Sequence, residues 1–127
     1  MSISAQYAST VRAAMGALSA ANAARDGTGT VVTLFTAGAS GSRIDDIYIV
    51  ATGTTTAGVI RLFLHDGTTA RLLSETIVGA VTPSTSVPVW SSTLLGQGIV
   101  IPSGWSLRAT TNNAETFNII VTRAGDF

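Results

Sequence analysis

Residues 60–75 read IRLFLHDGTTARLLSE and contain the only histidine of the chain, His65, followed by Asp66, with Arg61, Arg71 and Glu75 close by. A histidine beside a carboxylate is a pairing that general-base catalysis uses. The local pattern argues against that role. Ile60, Leu62 and Leu64 alternate with Arg61, Phe63 and His65, the period of a strand, and neighbours in a strand point to opposite faces. Asp66-Gly67 is a hairpin signal. A two-residue turn would place Arg71 opposite Leu62 on the apolar face, where an unpaired charge is costly. A five-residue loop over Asp66–Ala70 instead sets His65 opposite Arg71, Phe63 opposite Leu73, Leu64 opposite Leu72 and Arg61 opposite Glu75. That register keeps the charges together and outside, and it is the one expected. His65 is then a strand end and Asp66 a turn residue.

The other groups capable of chemistry are sparse. Asp45 and Asp46 are adjacent carboxylates. Acid–base catalysis needs two carboxylates converging on one substrate, and neighbours in a strand diverge, so a solvated strand entry is expected. If Ser42–Asp46 were a turn, the pair would suit calcium. GTGT and GASGSR carry glycines but match neither a Walker loop nor a dinucleotide fingerprint, and no helical pattern follows either. With no cysteine and one histidine, thiolate nucleophiles and zinc centres are excluded. No catalytic residue, cofactor or metal is expected.

The elements that carry these residues read as β-structure. After RDGTG at 25–29, short stretches rich in branched and aromatic residues follow one another: GTVVTLFTA, RIDDIYIVATG, AGVIRLFLH, RLLSETIVGAV, VPVWSSTLL, GIVIP, WSLRATT and TFNIIVTR. Turn clusters such as TGTTTAG, DGTTA, TPSTS, GQG, PSG and NNAE separate them. About eight strands without helical crossovers predict an antiparallel β-sandwich, jelly-roll-like, over residues 25–127. Residues 1–24 are alanine-rich and set apart. There Ile3, Tyr7, Val11, Met15 and Leu18 recur at spacings of four, four, four and three, which is helical. Ser2, Ser4, Ser9, Thr10 and Gly16 weaken a helix, so this segment is either a short helix or an extended arm lying on a neighbour.

Composition narrows the partners. Only 11% of residues are charged, seven acids against seven bases, and every base is an arginine. An ordinary domain carries about 25% charged residues. Zero net charge without basic clusters excludes a general nucleic-acid binder. No stretch is long and apolar enough for a membrane-spanning helix. ALSAANA mimics an export cleavage site, but neither a basic region nor a continuous apolar core precedes it, so export by that route is not expected. A near-neutral surface favours association, which points to coverage by partner subunits. The residues proposed for such contacts are Tyr7, Val11, Met15, Tyr48, Val50, Phe63 and Phe127. Tyr48, Val50 and Phe63 would serve equally as core if both faces of the sandwich were covered. Trp105, sharing a face with Leu107 and Ala109, is expected in the core, and Trp90 near an edge.

From Ala24 to Phe127 the chain resembles small virion proteins of tailed bacteriophages. The phrases that carry the resemblance are RDGTGT, AGASGSRID, TTTAG, RLFLHDGT and GWSLRATTNNAETF. The alanine-rich segment before them departs from that pattern. The resemblance implies a non-enzymatic structural protein, made in the host cytoplasm and carried on the capsid surface as a decoration or cement protein. Its partners would be the major capsid protein and further copies of itself, as a homodimer or homotrimer. A tail or baseplate component and a glycan-binding β-sandwich using Trp90 or Trp105 are the alternatives.

Overall fold

The structure is a computed structural model and describes residues 8–127. The described chain is all β. Its strands are β1 (Thr10–Leu18), β2 (Val32–Thr36), β3 (Ser42–Ala51), β4 (Gly58–His65), β5 (Ala70–Val78), β6 (Ser91–Leu94), β7 (Ile99–Ile101), β8 (Ser106–Thr111) and β9 (Phe117–Asp126). Sheet I runs β1-β9-β3-β6, with β7 also on β3, and sheet II runs β2-β8-β4-β5. Every strand pairing is antiparallel. The pairs are nested: β1 with β9, β2 with β8, β3 with β6 and β7, β4 with β5.

The two sheets pack face to face over one apolar core. Sheet I contributes Leu18, Ile44, Ile47, Ile49, Ile101, Phe117, Ile119 and Val121, and sheet II Ile60, Leu62, Val78, Leu107 and Ala109. Burying a side chain of this size stabilises by roughly 1.5–3 kcal/mol relative to exposure. Trp90 and Trp105 pack against this core at its margins, and Trp90 meets Phe117 edge-on at 5.9 Å between ring centroids.

The described part of the alanine-rich segment belongs to the sandwich. Over Thr10–Leu18 it is neither a helix nor an arm on a neighbour but strand β1, paired with β9 from Leu18↔Phe117 to Thr10↔Asp126 with one register shift between Arg12 and Ala14. A spacing of four suits a helix, yet it is also even, so it keeps Val11 and Met15 on one face of a strand. The odd step to Leu18 then turns that residue into the core, where it is 2% exposed. Gly16 lies close against β2: a Cβ there would fall 2.8 Å from Leu34 Cδ2, so the Leu34 side chain would have to shift. At the other end Arg12 holds β1 down. Its Nη1 donates to Asp126 Oδ1 at 2.9 Å and to Thr36 O at 2.8 Å, and its guanidinium lies 4.1 Å from the Phe35 ring centroid. Ile3 and Tyr7 lie outside the described residues.

Candidate functional site

The His65–Asp66 pair closes a hairpin. Asp66 Oδ1 accepts the N–H groups of Thr68 at 2.9 Å and Thr69 at 2.7 Å, and His65 Nδ1 accepts that of Gly67 at 3.0 Å. Gly67 occupies the left-handed region at φ 98°. The amides of Thr69 and then Thr68 hold the Asp66 carboxyl below its usual range. Both side chains are therefore engaged with their own loop.

The expected five-residue loop is not formed. His65 pairs with Ala70, Leu64 with Arg71 and Phe63 with Leu72, so the loop is four residues. A bulge between Leu62 and Phe63 then restores Arg61 opposite Glu75. The capped loop fixes one register at the tip, the ion pair fixes another further along, and the bulge reconciles them.

Arg61 is not outside: it is 3% exposed. Its Nε donates to Glu75 Oε2 at 2.9 Å, its Nη1 to Asn22 O at 3.1 Å, and both terminal nitrogens to Asn112 Oδ1 at 3.3 Å. Arg25 Nε also donates to Glu75 Oε2, at 3.0 Å. These bonds bind the segment 21–30 across the outer face of sheet II. Asn22 shapes that segment by donating to Thr28 O and Thr30 O and accepting from Ala24 N. Gly27 lets it lie close, since a Cβ there would fall 2.3 Å from Ala70 Cβ. Phe63 sits beneath, completely buried. This corrects its assignment as a contact residue, because the protein's own chain covers it.

Asp45 and Asp46 do not diverge. A register irregularity spans Ile44 to Ile47 against β9, and it sends both carboxylates toward the loop 95–98 and toward Arg123. Asp45 Oδ1 accepts Gly98 N at 3.0 Å and Asp46 Oδ1 accepts Gly96 N at 2.9 Å. Arg123 reaches Asp45 Oδ2 at 3.5 Å and Asp46 Oδ2 at 3.7 Å, and Arg43 Nε donates to Asp45 Oδ1 at 3.2 Å. Gly96 and Gly98 both take positive φ. The carboxylates thus pin the crossing between β6 and β7 with their charge balanced by arginine. Among the described residues no group of three His, Cys, Asp or Glu side chains converges as a metal site would need.

Apart from the β5 edge of sheet II, where Ile77 is 74% exposed, what remains open is the outer face of sheet I. Cross-strand register lines up Met15, Ile120, Tyr48 and Thr93 in one row, and Ala17, Asn118, Val50 and Ser91 in the next. Val11 is 82% and Met15 80% exposed, whereas Tyr48, Val50 and Ile120 are half-buried. Shallow grooves beside β1 are lined by Met15, Gly16, Ala17, Asn118 and Ile120 and by Val11, Arg12, Ala13, Thr122, Arg123 and Ala124. Of the residues named for partner contacts, this face collects Val11, Met15, Tyr48 and Val50. Phe127, 45% exposed, ends the chain past β9, where its N–H donates to Gly41 O. Tyr7 lies outside the described residues. Sequence reasoning missed Ile120 and the free edge of β1, because only the pairing of β1 with β9 places them beside one another. Comparison with known proteins finds no family model that matches this chain and no curated protein similar to it.

Proposed function

We propose that this chain is a non-enzymatic structural protein of a tailed-phage virion, which binds the assembled head shell as an oligomer in the manner of a decoration or cement protein. The observation that carries the reading is the outer face of sheet I. Val11 and Met15 stand out from a rigid sandwich, beside Ile120, Tyr48 and Val50. Exposed apolar surface on a compact domain marks a place for a partner, and aromatic residues and methionine are enriched where proteins meet. The nested pairing supports the same reading. First strand with last and second with second-to-last is the wiring of a jelly roll if β6 and β7 count as one interrupted strand, and jelly rolls recur in viral capsids. On this account the partners are the major capsid protein and further copies of the chain. No glycan role is favoured, because both tryptophans lean on the core.

Quantitative mass spectrometry of purified particles tests the reading. One copy per capsid subunit, or a simple fraction of that, is expected. A few copies per particle would move the protein to the tail or baseplate, and absence from particles would overturn the proposal.

A further inference from the structure

The strand edges of the sandwich are not equally protected. A free edge offers unpaired N–H and C=O groups to any strand that arrives, and proteins blunt such edges with charges, bulges or short strands. On the far side of sheet I, β6 and β7 are short and interrupted by the Gly96–Gly98 crossing. In sheet II, β2 has five residues and an irregular register, and β5 carries Arg71 and Glu75 and bulges at Leu73. β1 differs from these in length and charge: its register with β9 shifts once, between Arg12 and Ala14, but the extra residue lies in β9 and not in β1 itself. It is nine residues long, and among the described residues it pairs with β9 alone. Its single charge, Arg12, is half-buried and bonded to Asp126 and Thr36. The side chains on its outward face are Val11, Ala13, Met15 and Ala17, all apolar and exposed.

The hydrogen-bond phase of this edge follows from the neighbouring pairs. Thr52 N donates to Thr116 O at 3.0 Å, just beyond the Ala51–Phe117 pair, so that pair is of the non-hydrogen-bonded kind. Phe117, Ile119 and Val121 therefore direct their backbone groups away from β3 and toward β1, where they meet Leu18, Gly16 and Ala14. The intervening residues Ala13, Met15 and Ala17 aim their N–H and C=O groups at the open edge.

We propose that the occupant of this edge is a second copy of the chain, its β1 antiparallel to the first about a two-fold axis at Ala14, joining the two copies of sheet I into one continuous sheet. This rests on the proposed virion role and deepens it by naming the contact between copies. The sequence of β1 matches itself in this register. Val11 falls opposite Ala17 of the second copy and Met15 opposite Ala13, so each bulky side chain meets a small one. Arg12 falls opposite Gly16, so no like charges face each other, and Ala14 falls opposite itself. Centring the axis on Ala13 instead would set Val11 against Met15, and centring it on Met15 would set that residue against itself. The Ala14 register also uses all nine residues. Such isologous pairing closes after two copies and leaves no further β1 edge exposed.

The absence of native cysteine supplies the test. Ala14 pairs with itself in the non-hydrogen-bonded phase, at about 4.5 Å between Cα atoms, within the range that a disulfide spans. In the full 127-residue chain, Ala14→Cys is expected to give a covalent dimer on mild oxidation, while Thr76→Cys on β5 stays largely uncrosslinked. Light scattering of the unmodified chain should show a dimer. Met15→Lys should raise the dissociation constant of that dimer at least tenfold while circular dichroism stays unchanged, since Met15 makes little contact within its own subunit. A chain that stays monomeric at all concentrations, a closed ring of another number, or a dimer that the Ala14→Cys variant fails to crosslink overturns the proposal. These outcomes are independent of particle copy number, so failure here is distinguishable from failure of the virion assignment.

Discussion

The outer faces of the two sheets start from similar sequence and end differently. Alternation places two aromatic residues, Phe63 on β4 and Tyr48 on β3, on outward faces. Phe63 is fully buried because residues 21–30 fold back across sheet II. Tyr48, on sheet I, remains half-buried. The covering segment is held by polar contacts: the Arg61 guanidinium, the Asn22 amide and the close approach at Gly27. The part of the face around Phe63, sealed by the protein's own chain, is part of stability, while Ile77 at the β5 edge stays exposed. A face left open at Val11 and Met15 is available to a partner. The distinction comes from a long-range covering loop, not from the alternation of the strands.

Substitutions should separate the two faces. The largest effect is expected at Phe63→Ala, which removes a fully buried ring and should cost about 3–5 kcal/mol in chemical denaturation. In solution dilute enough that the chain is monomeric, Met15→Lys on the open face should move stability by no more than about 0.5 kcal/mol. If both cost the same, the contrast between the faces fails. Gly27→Ala comes next. Its φ of 83° and the close approach to Ala70 Cβ strain any side chain, so a loss of about 1–2 kcal/mol is expected, with faster amide exchange in residues 21–30.

Acid should act on the polar ties that hold β1 and the covering segment. The Asp126 carboxyl is held below its usual range, first by the Ser42 hydroxyl and then by Arg12, and the Glu75 carboxyl first by Arg25 and later by Arg61. A lowered folded-state pKa means that the unfolded chain binds protons first as pH falls. Stability is therefore fully present above the ordinary carboxylate range and is lost below about pH 4. Thermal denaturation across a series of acidic to neutral buffers checks this, and Asp126→Asn should flatten part of the decline. The smallest effect is expected at Thr110, whose buried hydroxyl has no hydrogen-bond partner among the described residues. Thr110→Val should be neutral or stabilise by up to about 1 kcal/mol.

How much of this is legible in the sequence follows the range of the interactions. The strands are legible because alternation and turn residues act locally, and the sandwich class follows from strands without helical crossovers. The hairpin register is not. It balances an Asp66 cap at the tip against the Arg61–Glu75 pair several residues away, and a bulge absorbs the difference. The first strand is hidden because an even spacing of four satisfies both a helix and a strand, and only β9 decides between them. Asp45 and Asp46 converge for a similar reason, since an irregular register cannot be read from alternation. Of the surface residues that the sequence suggests, Val11 and Met15 are exposed because β1 is an edge, whereas Phe63 is lost to a covering segment that approaches from far along the chain.

Residue-resolved amide exchange of the full chain at rising concentration tests the central contrast most directly. The account predicts that Ala14, Gly16 and Leu18, bonded to β9, are protected at every concentration. Ala13, Met15 and Ala17, aimed at the open edge, should be unprotected in dilute solution and become protected as copies pair. Exchange of Ala13, Met15 and Ala17 that stays fast up to the highest soluble concentration would contradict it.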